Sequence, residues 1–114
     1  PVQADISTPS GVQYLFEEAD KLGAVSMLVN NAGILGPVPS SEPNNIQDLN
    51  IESFQNVIDC NLKGAFMCIQ AAEKRMKNKG KGAIVNISSG SAYIGQPLFY
   101  GASKAALNTL QIGL

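Results

Sequence analysis

The spacing of apolar residues changes several times along the chain, and each change marks a new element. Val12, Leu15, Phe16, Ala19 and Leu22 recur every three or four positions, with Glu17, Glu18 and Asp20 off that stripe. This is the pattern of an amphipathic helix. Thr8 and Pro9 supply an N-cap and a first-turn proline, and Gly23 supplies a stop. Residues 26–30 and 82–89 are instead short apolar runs that end in polar side chains. Each predicts a buried parallel strand. Residues 2–5 read as the tail of a further strand. The Pro, Ser and Asn content of residues 34–50 predicts an exposed loop. Phe54, Val57, Ile58, Leu62, Ala65, Phe66, Ile69 and Ala72 then predict one long helix from about residue 51 to 77. After a Gly- and Pro-bearing loop, a last helix is expected from about Phe99 onward.

The resulting order is β-α-β-α-β-α. Short apolar strands joined by amphipathic crossovers predict an α/β fold, an open parallel sheet with helices on both faces. In such sheets ligands bind outside the carboxyl ends of the strands. Here those ends carry Asp5, the run Asn30-Asn31-Ala32-Gly33, and Ser88-Ser89.

Composition narrows the chemistry. The 114 residues are 45% hydrophobic and 15% charged, with a formal net charge of -1. Neither nucleic acid nor an anionic membrane finds a cationic surface to bind, so no partner of either kind is expected. The basic run at residues 74–81 reads as the solvated end of a helix, where cations complement the dipole. No apolar run reaches membrane-spanning length. The chain has no histidine, which excludes a Ser-His-Asp hydrolase and histidine-based zinc chemistry within this segment. Cys60 and Cys68 form no CxxC pair. On one helix they would lie about 12 Å apart, too far for a disulfide. They read as core thiols of a cytoplasmic protein, and no metal site is expected.

Tyr100 and Lys104 stand four residues apart at the start of the last helix. That spacing puts them on one face. A lysine cation beside a tyrosine stabilises the phenolate and suits it to general acid/base work. Ser89, at the neighbouring strand end, would hydrogen-bond a carbonyl or hydroxyl oxygen next to the phenol. Taken alone, Tyr-x-x-x-Lys is a weak pattern, and a solvated helix pair explains it better.

Its company gives it weight. Asn30-Asn31-Ala32-Gly33, Asn61 within residues 59–64, the strand 84–89, and Tyr100-Gly101-Ala102-Ser103-Lys104-Ala105-Ala106-Leu107 occur in that order. Together they resemble the classical short-chain dehydrogenases/reductases over nearly the whole chain. The resemblance implies a partial Rossmann-type, doubly wound parallel sheet with three α/β/α layers. It implies a hydride-transferring oxidoreductase using NAD or NADP on a small-molecule secondary alcohol or ketone, for example a 3-oxoacyl, sugar or steroid substrate. Tyr100 would exchange the proton, Lys104 would tune it and hold the nicotinamide ribose, and Ser89 would polarise the substrate oxygen. Asn61 would anchor a water linking Lys104 to solvent. Asp5 and Ile6 would meet the adenine, and Asn31, Ala32 and Gly33 would flank the adenosine ribose. A homodimer or homotetramer through the two long helices is implied too, with Ala71, Ala72, Ala102, Ala105 and Ala106 as small-residue surface.

Several readings stay open. Asn31 is equally consistent with bracing the central strand, Asn61 with satisfying a helix kink, and Asp5 with a simple turn. The step from Ser89 to Tyr100 is about two residues shorter than the family's usual spacing, so Ser88 remains an alternative to Ser89. An epimerase or dehydratase of the extended branch, and a non-catalytic sensor or scaffold, are the competing functions. The family's glycine-rich phosphate loop has no counterpart in the sequence, nor do the strands that would flank residues 2–5. The chain is therefore expected to be the central part of one nucleotide-binding domain, truncated at both ends, from a protein about twice as long. Residues 2–5 would then lack strand partners.

Overall fold

The computed structural model describes residues 1–37 and 45–114. The chain divides into two compact units, residues 1–31 with 63–87 and residues 32–62 with 88–114.

The first unit is the α/β part. Helix α1 (Pro9–Leu22) starts as its sequence dictates: the Thr8 hydroxyl accepts the Gly11 N–H at 3.1 Å, with Pro9 in the first turn. Gly23 ends it. Strand β1 (Met27–Asn30) pairs in parallel with β2 (Ala83–Asn86), with Asn30 opposite Asn86. Helix α3 (Ala65–Lys79) packs on both α1 and β1. The core is Val12, Phe16, Cys68, Ala72 and Met76, with Leu28 and Ile84 against it. Arg75 ties the two helices together. It forks onto the Asp20 carboxylate at 2.8 and 2.7 Å, and its guanidinium lies 5.0 Å from the Phe16 ring centroid. At the strand ends, the Asn30 Nδ2 donates to Asn86 Oδ1 at 2.8 Å and to the Ala65 carbonyl at 3.3 Å.

Four expectations change here. Residues 2–5 are not a strand: among the described residues the sheet has two strands, and nothing pairs with that segment. The strands are not buried on both faces. Leu28 and Ile84 point to the core, while Met27 and Val29, on the opposite face by strand alternation, are 63% and 51% exposed. Leu22 is exposed rather than part of the core stripe. Ala72, expected on an association surface, is completely buried, whereas Ala102 is exposed. Strands that are apolar on both sides are built for cover on both sides, and the described residues supply it on one. A groove of about 430 Å³ lined by Leu15, Phe16, Leu22, Val25 and Leu28 lies along this unit. It is apolar and holds none of the expected site residues.

The second unit is helical. Its loop segment includes a short 3₁₀ turn (Ile46–Asp48); residues 38–44 of the expected loop lie outside the described residues. Asn50 caps helix α2 (Ile51–Ile58), accepting the Glu52 and Ser53 N–H groups. Helix α5 (Leu98–Gly113) packs against α2 and against the short helix α4 (Ser91–Ile94). The Phe54 and Phe99 rings meet edge to face, their centroids 5.3 Å apart. Gly101 permits the α4–α5 approach, since a Cβ there would stand 2.5 Å from the Ser91 carbonyl oxygen.

The single long helix expected from residue 51 to 77 is interrupted. Between α2 and α3 the backbone widens into a π-helical turn (Asp59–Gly64). Apolar spacing does not reveal such a turn, because the steps from Ile58 to Leu62, Ala65 and Ile69 are the threes and fours of an unbroken helix. π turns inside helices are frequent at functional sites.

Candidate functional site

The π turn carries Asn61, which is 1% exposed. Its Oδ1 accepts the Ile34 N–H at 2.8 Å, and its Nδ2 donates to the Ile34 carbonyl at 2.9 Å. That pair of bonds to one residue's backbone fixes which end of the amide is which. The second Nδ2 hydrogen goes to the Ser103 hydroxyl at 3.0 Å. Ser103 in turn donates to the Tyr100 carbonyl at 2.7 Å. One buried chain of hydrogen bonds thus runs from the loop after Gly33, through the π turn, to the first turn of α5.

Lys104 follows on that helix. It is 2% exposed, and its Nζ lies 5.7 Å from the Tyr100 ring centroid, within reach of the ring's negative face. The four-residue spacing therefore does place the two on one helix face. Gly33 runs beside them: a Cβ at Gly33 would stand 3.3 Å from Asn61 Oδ1 and 3.7 Å from Lys104 Nζ. Gly33, Asn61, Tyr100 and Lys104 form one cluster in the second unit.

The two serines differ. Ser89 Oγ accepts the Ser91 N–H at 3.1 Å, which fixes the oxygen and does not use the hydroxyl proton. Ser88 Oγ is buried and has no hydrogen-bond partner among the described residues. Ala32 is exposed in the same unit.

Asp5, Ile6 and Asn31 belong to the first unit. The Asp5 carboxylate accepts the Ser7 N–H at 2.9 Å and the Ser7 hydroxyl at 2.7 Å, a turn closed on itself. These bonds hold it below the usual carboxylate range. Ile6 packs against the unit's core. Asn31 is exposed, and the bracing of the strand considered for it is performed by its neighbour Asn30. Cys68 is a buried thiol whose burial pushes its pKa up, and Cys60 is half-buried; neither forms a disulfide.

Ser103 is the residue that motif reading passed over. It lay inside the quoted motif with no role assigned. Its signal was its type: a serine at an interior helical position one turn after Tyr100, with its hydroxyl in reach of the Tyr100 carbonyl.

The sequence model of the short chain dehydrogenases matches residues 1–114. The chain belongs to that family. Among its relatives is an NADPH-dependent aldehyde reductase-like protein, chloroplastic, of Arabidopsis thaliana. The two are 39% identical over 96% of this chain and 40% of that protein. A 3alpha-hydroxysteroid dehydrogenase of Mediterraneibacter gnavus is 43% identical over 80% of this chain and 35% of that protein. Among solved structures, an NAD+-bound xylitol dehydrogenase superposes with a TM-score of 0.81 at 29% identity, over 94% of this chain and 40% of that one. The fold is thus the partial Rossmann-type α/β fold of short-chain dehydrogenases, and the family is one of oxidoreductases. The chain spans between 35% and 47% of the length of the curated relatives it matches. Among the described residues no helix is long and apolar enough to cross a membrane.

Proposed function

We propose that this chain carries the acid/base half of a nicotinamide-dependent enzyme that interconverts a secondary alcohol and a ketone. The observation that carries the reading is the buried Lys104 ammonium set 5.7 Å from the Tyr100 ring centroid, beside Gly33 and Asn61. A buried cation next to a phenol serves proton exchange, because it stabilises the phenolate left when the proton departs. Relatives named as aldehyde reductase and hydroxysteroid dehydrogenase support a carbonyl/alcohol pair as substrate. 3-Oxoacyl, sugar and steroid compounds are the classes to test.

The donor set fits NAD or NADP. The Lys104 ammonium beside the Gly33 backbone offers hydrogen-bond donors to ribose hydroxyls. Asn31, Ala32 and Gly33 would flank the adenosine ribose, and Asp5 and Ile6 the adenine. Ser7 engages Oδ1 of the Asp5 carboxylate and Thr8 its backbone carbonyl, so Oδ2 would be the atom that makes that contact. When bound, the nicotinamide supplies or accepts the hydride. The protein's own residues handle the oxygen. In reduction the Ser89 hydroxyl donates to the substrate carbonyl oxygen, and the Tyr100 hydroxyl passes its proton to that oxygen as negative charge develops there. Lys104 stabilises the phenolate that remains. Both amide hydrogens of Asn61 are engaged by Ile34 and Ser103. A water linking Lys104 to solvent would therefore hang from an oxygen of Asn61, not from its amide nitrogen.

We read the chain as part of a single nucleotide-binding domain of a longer cytoplasmic protein, assembling as a homodimer or homotetramer through its long helices. The test is Tyr100→Phe in the full-length protein, assayed with NADPH and NADH against a panel of ketones and aldehydes. Turnover is expected to fall about 10²- to 10⁴-fold with cofactor binding retained. Unchanged turnover would refute the acid/base assignment. Ser89→Ala should also slow the reaction, while Ser88→Ala should not; the opposite result would move the role to Ser88.

A further inference from the structure

We propose that Ser103 is a positioning residue for Tyr100, acting as the link between Asn61 and the first turn of α5. The inference rests on the reading of Tyr100 as the acid/base group. For the helix alone, alanine would serve better at this position. A hydroxyl buried to 0% exposure is costly unless its hydrogen bonds are made. Here both are. Ser103 accepts from Asn61 Nδ2 at 3.0 Å and donates to the Tyr100 carbonyl at 2.7 Å.

The second bond alone would be an ordinary bond of a helical serine back to its own helix. The first changes its meaning. Asn61 is itself locked to both backbone groups of Ile34, at 2.8 and 2.9 Å. Three segments distant in sequence, the loop at Ile34, the π turn and the start of α5, are therefore joined through two small side chains. The tie enters α5 at Ser103, one residue before Lys104, and ends on the Tyr100 carbonyl one turn earlier. It fixes where the phenol's own residue sits relative to the loop at Gly33. Nothing apolar could do this, because the join is directional on both sides.

The test compares Ser103→Ala, Ser103→Thr and Tyr100→Phe in the full-length protein. For Ser103→Ala, kcat is expected to fall about tenfold, the rate equivalent of one lost hydrogen bond. KM for the carbonyl substrate and Kd for the cofactor should stay within about twofold, as expected when the lost interaction matters only in the transition state. Ser103→Thr keeps the hydroxyl and should restore kcat. If Ser103→Ala does not fold, Ser103→Cys, which keeps the volume with a much weaker donor, should show the same losses.

Wild-type kcat in a folded Ser103→Ala, or a fall in kcat matched by an equal change in KM or cofactor Kd, would overturn the proposal. So would a loss of activity that only follows the folded fraction, or failure of both variants to fold, which would make Ser103 a folding determinant. An active Tyr100→Phe would refute the underlying reading, and this inference with it. An inactive Tyr100→Phe beside an unaffected Ser103→Ala would refute this inference alone.

Discussion

The two units are held together by different physics. The first has an apolar interior in which Val12, Phe16, Ala72 and Met76 interlock between α1 and α3, with Arg75 spanning the helices outside. The second has apolar contacts too, but three of its most buried residues are polar: Asn61, Ser103 and Lys104 are 1%, 0% and 2% exposed. An apolar core tolerates exchange among side chains of similar volume. A buried polar network does not, since each member has a fixed partner and each loss leaves another group unsatisfied. The expected acid/base residues stand in the unit of the second kind. Precise placement of a phenol and an ammonium calls for directional bonds.

Substitutions in the full-length protein sharpen this contrast. The largest effect is expected from Phe16→Ala, which empties the centre of the first unit and should cost about 4 kcal/mol in denaturant unfolding. Phe16→Leu should recover most of that loss. Asn61→Ala should cost about 3 kcal/mol by the same measurement, because the buried Ser103 hydroxyl and both part-buried backbone groups of Ile34 lose their partner. Here the near-isosteric Asn61→Leu should recover nothing. If Asn61→Leu proved as stable as wild type, the distinction between the two units would collapse. Thr8→Ala removes one helix cap at the edge of the first unit and should cost about 1 kcal/mol.

The smallest effect belongs to the surface pair Asp20–Arg75. The Arg75 guanidinium holds the Asp20 carboxyl below its ordinary range. A carboxyl depressed on folding stabilises the protein above its unfolded value, about pH 4, and that contribution fades as the pH falls through the lower folded value. Asp20→Asn should therefore lower Tm slightly at pH 7, and the difference from wild type should vanish in strongly acidic buffer. A difference that persisted there would assign the pair's effect to packing on Phe16 instead of charge.

Much of the first unit was legible in the residues. Thr8-Pro9 and Gly23 mark the ends of α1, and the two apolar runs ending in asparagine and serine predict parallel strands. These signals are local: a cap, a stop or a run of side chains acts within a few residues of itself. The bare outer face of the strands was not legible, because whether Met27 and Val29 are covered depends on segments distant in the chain. Nor was the break in the long helix. Helical periodicity continues through residues 59–64, and what marks the π turn is Asn61 reaching the backbone of Ile34, 27 residues away.

The Tyr100–Lys104 pair with which the candidate chemistry began shows the same division. Sequence alone determined that the two share a helix face, since four residues make about one turn. It also determined the family, because four motifs in fixed order are far more specific than any one of them. The tertiary structure decided that Lys104 is buried, that Gly33 passes beside its ammonium, and that Ser103 joins Asn61 to Tyr100. The reason is one of range. Helix phase and capping are set by neighbours along the chain, whereas burial and a buried hydrogen bond exist only once the loop at Ile34, the π turn and α5 have come together.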